Sequence, residues 1–184
     1  MHQTTFAPRR LRPVRAAPWL AAAALLLIGA PAAGAQSNGP CQAEPAAGGP
    51  HIVLRCGRGL TIEVERTARY SVVDQDGDGA PEGMRLDRGA ALVDADPAMA
   101  RRFQILTPTA IASVRGTEWA VDAAAATTSV FVISGAVNVV ARAGGAGVVL
   151  RRGEGTDVPA AATELRAVRW GQRRIDALLA RFGR

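Results

Sequence analysis

The chain has 184 residues, of which 48% are hydrophobic but only 4% aromatic. That length fits one domain of ordinary size, with a core built from Val, Ile, Leu and Ala rather than from large rings. The net charge of +6 does not describe a nucleic-acid binder: Arg9, Arg10, Arg12 and Arg15 supply most of it, and they precede the first apolar run with no acid among them.

Residues 1–17 are basic and irregular, and residues 19–30 (WLAAAALLLIGA) are almost purely apolar. Pro31 ends the run, and Ala33-Gly34-Ala35 has the small-x-small form of a signal-peptidase site. A secretory signal over residues 1–35 is therefore expected, cut between Ala35 and Gln36. The apolar run falls short of the roughly 20 residues that span a bilayer. The mature chain is expected to carry no membrane span and to lie in the periplasm or outside the cell.

Residues 36–50 (QSNGPCQAEPAAGGP) are rich in Gly, Pro and Ala, lack an apolar period, and read as a flexible arm. Cys41 and Cys56 both fall in the exported part, where such a pair is expected to form a disulfide. The chain-entropy model values a staple of that loop length at about 3 kcal/mol. A metal would need a second ligand pair, and only His51 lies near.

From His51 onward, short apolar runs recur, each closed by a Gly or Asp turn. Strands are expected at residues 52–56, 60–65, 70–74, 84–86 and 90–93. A second group follows at 103–106, 111–114, 118–122, 129–133, 136–140, 148–150 and 154–158. Leu60, Ile62 and Val64 alternate with Thr61, Glu63 and Glu65, as a half-buried strand requires. Around Val130, Phe131, Val132 and Ile133 both faces are apolar, which marks a central strand covered on each side. Residues 51–168 are thus expected to form a single mainly β domain, either a sandwich or jelly roll or a β-solenoid.

One turn is acidic. Asp74, Asp76 and Asp78 with Gly79 match the opening of a calcium loop, and Glu82 takes its ninth place. The twelfth place, where a bidentate Glu belongs, is Arg85. The flanks read as strands, so an Asp/Gly hairpin turn is the expected role. A weak calcium site on Asp74, Asp76, Asp78 and Glu82 is the competing reading, and no other cofactor is expected.

Residues 107–121 run TPTAIASVRGTEWAV, and residues 130–140 run VFVISGAVNVV. This resembles the FecR domain: a Thr-Pro start (Thr107, Pro108), a Val-Arg-Gly-Thr centre (Val114, Arg115, Gly116, Thr117), an aromatic and a Val (Trp119, Val121), then a Val-rich hairpin around Gly135. The later GEGTDV (residues 153–158) looks like that domain's closing strand, so the likeness runs from about residue 89 to 158, its core over 103–158. Arg115-Gly116 reads as a tight turn with Gly free to take positive φ. Thr117, Trp119 and Val121 then share one face, with Trp119 the largest core anchor, while Glu118 and Asp122 point away. The resemblance implies a periplasmic regulator module that meets the signalling domain of an outer-membrane receptor. In such regulators a cytoplasmic segment controls a sigma factor. Here only residues 1–18 precede the apolar run, so anti-sigma activity itself is not expected.

The tail changes period. Trp170, Ile175, Leu178, Leu179 and Phe182 recur at helical spacing, with Arg173, Arg174 and Arg181 among them. Residues 169–182, within a C-terminal segment 169–184, read as a short amphipathic helix. Its expected role is to close the open end of the β core, the alternative being a membrane- or partner-binding helix.

Catalysis finds little to work with. His2 leaves with the signal, so His51 is the one imidazole of the mature chain; the cysteines are paired and there is no Lys. No catalytic residues are expected. The expected function is a non-catalytic binding or sensing module that recognises another envelope protein; the alternative is a structural envelope protein associated with membrane or cell wall.

Overall fold

The computed structural model describes residues 39–47, 49–57, 59–98, 103–114, 116–145 and 147–184. The signal segment, its Ala35/Gln36 cut and Arg115 lie outside the described residues.

In chain order the strands are β1 (Cys41–Pro45), β2 (His51–Cys56), β3 (Leu60–Glu65), β4 (Arg69–Val73), β5 (Gly83–Ala95), β6 (Phe103–Leu106) and β7 (Ala110–Val114). They continue with β8 (Glu118–Ala123), β9 (Thr127–Ser134), β10 (Ala136–Ala141), β11 (Val148–Arg151), β12 (Glu154–Pro159) and β13 (Val168–Arg169). A helix, α1 (Gln172–Leu179), and one 3-10 turn (Ala180–Phe182) complete the described chain.

The strands form one continuous sheet curled into two layers, and β5 carries it from one layer to the other. Its first half pairs with β4 and, in parallel, with β6; its second half pairs antiparallel with β3 and β8. The first layer thus runs β4-β5-β6-β7-β10-β11, and the second β1-β2-β3-β5-β8-β9-β12-β13. The chain bends near Gly89, and there the side-chain alternation changes phase. Met84 and Leu86 face the core before the bend, and Ala91 and Val93 face it after. An added residue at a bend has this effect on a period of two. The sequence expectation of two separate strands, 84–86 and 90–93, is therefore corrected to a single 13-residue strand.

Two further expectations are corrected. Residues 41–45 belong to no flexible arm: β1 pairs with β2 from Cys41↔Cys56 to Pro45↔Ile52. A strand with Pro at its end and no clear alternation is legible only through its partner. The tail helix spans Gln172–Leu179 rather than 169–182, because Val168 and Arg169 instead pair with β12 across Gly155 and Glu154.

One core fills the space between the layers. Leu60, Ile62, Met84, Leu86, Phe103, Ile105, Trp119, Val121, Val130, Val132 and Leu150 are all sealed in it. A second apolar cluster lies on the outside of the second layer, where Ala90, Leu92, Ala120 and Phe131 meet Trp170, Leu178 and Phe182. So β8 and β9 are covered on both faces, as expected for β9. The tail covers a sheet face rather than the open end of the core.

Candidate recognition surfaces

The motif residues build structure. Thr107 is buried; its hydroxyl donates to the Ala110 carbonyl (3.0 Å) and accepts from the Ala110 N–H (2.9 Å), closing the Pro108 turn between β6 and β7. That turn is tied to the opposite layer by hydroxyl contacts of 2.7 Å from Thr107 and Thr109 to Thr128 of β9. Val114 closes β7 in the core. Gly116 has φ +64°, and a Cβ there would sit 2.5 Å from Pro97 Cα, so the position demands Gly. Thr117 donates to the Ala136 carbonyl (3.1 Å), which pins the entry to β8 against the β9–β10 hairpin at Gly135. Trp119 and Val121 are fully buried between the layers, as the alternation implied.

The acidic turn is likewise held by its own amides. Asp74 accepts the Gly77 and Gly79 N–H groups at 3.0 and 3.1 Å, and Asp78 accepts that of Ala80 at 2.9 Å. The Gln75 N–H donates to Glu82 at 2.9 Å. Carboxylate oxygens of Asp74, Asp76 and Asp78 come within 4.8 Å of one another. Glu82 faces the turn through Gln75, and the three aspartates form the cluster without it.

Cys41 and Cys56 are joined by a disulfide that fastens the end of β1 to the end of β2. His51 starts β2 nearly buried, its Nε2 3.1 Å from Glu63 and its ring edge-on to Phe182 at 6.1 Å. The imidazole thus anchors the tail.

The largest polar construction on the surface is the fastening of the tail. Arg181 grips Glu65 with two donors, each at 2.6 Å, and reaches Asp122 with the third nitrogen at 2.6 Å. Arg184 joins Glu63 at 2.7 Å and also binds Glu118. Arg174 pairs with Asp157 of β12 and lies 3.5 Å above the Trp170 ring, which in turn stacks on Phe131 at 5.2 Å. The Arg181 guanidinium holds the Glu65 carboxyl below its usual value; burial opposes this, and the Ala90 N–H adds to it. Arg174 does the same for Asp157, again against burial and with help from the Ser129 hydroxyl. Fully burying a Leu or Phe side chain is worth about 1.5–3 kcal/mol, the exposed Arg174–Asp157 pair about 0–1 kcal/mol, and the part-buried Arg181–Glu65 hydrogen bonds about 1–3 kcal/mol. Three buried side chains, Trp170, Leu178 and Phe182, therefore supply the larger share of the hold; Arg181 adds to it, and the exposed Arg174 pair mainly sets register.

Sequence reasoning saw these arginines only as part of an amphipathic stripe. The signal was present: Arg174, Arg181 and Arg184 fall at spacings of seven and three on one helical face, and Glu63/Glu65 and Glu118/Asp122 recur on the outward faces of strands. What one sequence does not state is that the two stripes meet. Among the described residues, no helix is long and apolar enough to cross a membrane.

Fold and surfaces together define a two-layer β module with a C-terminal segment docked on one sheet face. Residues 49–138 match the family model described as FecR protein, so that segment is similar to a FecR domain. The match starts in the β1–β2 turn, some way ahead of the residue-89 start read from sequence, and ends within β10; the strand taken for the closing one, β12, lies beyond it. Two crystal structures of a presumed anti-sigma factor from Parabacteroides distasonis ATCC 8503 share the fold, each at 17% identity, with TM-scores of 0.58 and 0.57. They cover 71% and 76% of this chain, which spans 61% and 64% of theirs, less than two thirds. No curated protein matches the sequence.

Proposed function

We propose that the protein is a non-catalytic binding or sensing module of the bacterial envelope that acts in signalling by recognising another envelope protein. The observation that carries this reading is the FecR match over residues 49–138, in which the motif residues close turns and fill the core. The fold it shares with a presumed anti-sigma factor supports a regulatory setting. Export rests on the sequence of residues 1–35, with the mature chain starting at Gln36 and residing in the periplasm or outside the cell.

The contact surface in this reading is a strand edge, whose unpaired N–H and C=O groups accept a partner strand. Among the described residues, four edges end the two layers, and three are blunted. β1 carries the disulfide and Pro45, β13 is two residues long, and the Arg151 N–H of β11 is taken by Glu154 at 2.8 Å. The fourth, β4, is five residues long and pairs along one side with β5. It is the edge assigned to the partner.

The test is cross-linking and co-purification of the full chain, expressed with its own signal, from a periplasmic extract. A stoichiometric protein partner is expected, and intact mass should begin at Gln36. Successive residues of an edge strand turn their N–H groups alternately inward and outward. Of Ser71→Pro and Val72→Pro, one therefore removes only an outward donor; that variant should keep the native circular dichroism and lose the partner. Sedimentation with cell wall and no protein partner would favour a structural envelope role instead.

A further inference from the structure

We propose that the outer face of the second layer is a docking groove for basic amphipathic helices, occupied in this chain by its own tail and open to a partner protein's helix of the same pattern. This does not rest on the β4 edge.

The groove has a composition of its own. Its floor, Ala90, Leu92, Ala120 and Phe131, is apolar and drawn from three adjacent strands. Acids surround it: Glu63 and Glu65 of β3 lie beyond one wall, Asp157 of β12 beyond the other, and Glu118 and Asp122 on β8 two residues to either side of Ala120. An apolar floor between acidic rims is the complement of a helix with one apolar stripe and arginines beside it, the helix-in-groove mode of recognition. Charge complementarity fixes the chemistry of the occupant, because three tail arginines meet five carboxylates there.

The resident helix is poorly suited to hold that place against competition. α1 is eight residues long, shorter than a helix that stands alone in water. Gly171 at its N-cap offers no side-chain acceptor, and its first turn carries no acid but Arg173 and Arg174, which oppose the helix dipole. Arg174 and Asp157 are each nearly half exposed, so an incoming arginine can reach the rim. The identical tail of a second copy gains no contact that the attached tail lacks and competes with its high effective concentration. A partner helix that is longer and properly capped faces the same effective concentration but adds contacts and helix stability that the attached tail lacks.

The probe is a fluorescein-labelled peptide of residues 168–184 carrying Gly171→Asp, titrated by anisotropy into the full chain. The competing protein is a full-chain variant with Trp170→Ala and Leu178→Ala, which loosens the tail and leaves the groove residues untouched. The probe should bind this variant tighter than the wild type by about tenfold or more, since the resident tail no longer masks the site. A probe with Arg174→Glu and Arg181→Glu should not bind. If the loosened variant keeps native circular dichroism yet ignores the probe, or takes the charge-reversed one equally well, the groove is not a helix site. A concentration-dependent dimer of the loosened variant that excludes the probe would overturn the partner reading in favour of tail exchange between copies. Capture of the wild-type tail by anionic phosphatidylglycerol vesicles, with the probe ignored, would overturn it in favour of a membrane surface. Should the loosened variant fail to fold, hydrogen exchange on the wild type decides. The amides of α1 should exchange far faster than those of β8 and β9, and equal protection would overturn the proposal.

Discussion

Trp119 and Ala120 are adjacent on β8, yet they serve two different hydrophobic layers: Trp119 is sealed between the sheet layers, and Ala120 lies beneath the tail. A strand sandwiched in this way has no tolerant face, because truncation on one side opens the core and enlargement on the other lifts the C-terminal segment.

Replacing Trp119 by Ala should cost about 3–5 kcal/mol, the range for truncating a buried aromatic. Trp119→Phe should cost markedly less. The Trp119 Nε1 is buried with no hydrogen-bond partner, so Phe loses volume but also removes an unsatisfied donor worth about 1–3 kcal/mol of desolvation. Urea unfolding of the three proteins measures both. Equal losses for Phe and Ala would mean that the indole nitrogen has a partner after all.

Reduction of the Cys41–Cys56 disulfide should act locally. β1 is an edge strand of five residues that packs on the core only through Cys41 and Ala43 among its described side chains and pairs with β2, so the staple's about 3 kcal/mol matters most there. After dithiothreitol, limited proteolysis should cut within residues 46–50 while circular dichroism keeps most of the β signal. Loss of the whole β signal would show instead that β1 is needed to seal the core.

Asp74 carries the acidic turn with both oxygens, each accepting a backbone N–H. Asp74→Ala should therefore destabilise the fold by about 1–2 kcal/mol, as losing a capping carboxylate does, whether or not calcium is present. A rise in Tm with millimolar calcium that Asp74→Asn abolishes would make the turn a cation site.

The strands were legible because alternation is a local signal. Leu60, Ile62 and Val64 announce both their strand and its inward face, and the Val-rich runs on either side of Gly135 announce the hairpin. Four things were not legible. β1 has no alternation because it is a narrow edge strand, and only its pairing with β2 reveals it. The phase change at Gly89 breaks the very period by which strands are read. The contact between Arg181 and Glu65 spans 116 residues, and nothing local to either residue points to the other. Within the motif, Gly116, Thr117 and Trp119 close a turn, pin a hairpin and fill a core. Thr109 and Thr128, which tie the β6–β7 turn to the opposite layer, were missed because a buried hydroxyl pair carries no signature in one sequence.

The fastening of the tail should weaken on acidification, and Glu65 decides where. Arg181 holds its carboxyl below the ordinary value of 4.5, with burial opposing and the Ala90 N–H assisting. A group whose pKa is lowered by folding stabilises the fold fully above its unfolded value and loses that contribution as pH falls through the folded one. Asp157, lowered from 3.8 by Arg174, follows the same sign at slightly lower pH. This contribution to holding the tail should thus be complete at pH 7 and be lost in acid, as pH falls below the ordinary carboxylate value and through the lower one that Glu65 has in the fold. Arg181→Ala should cost about 1–3 kcal/mol at pH 7, the worth of hydrogen bonds to a charged group, and the gap to wild type should close in acid. Glu65→Gln keeps the side chain's shape but cannot titrate, so it should lose stability at pH 7 and flatten the acid limb of the profile. Hydrogen exchange of the α1 amides from pH 3 to 7, corrected for the intrinsic rate, follows the tail directly. If Glu65→Gln leaves the acid limb as steep as in wild type, the titrating group lies elsewhere, and the Arg181 pair would be register without pH-dependent strength.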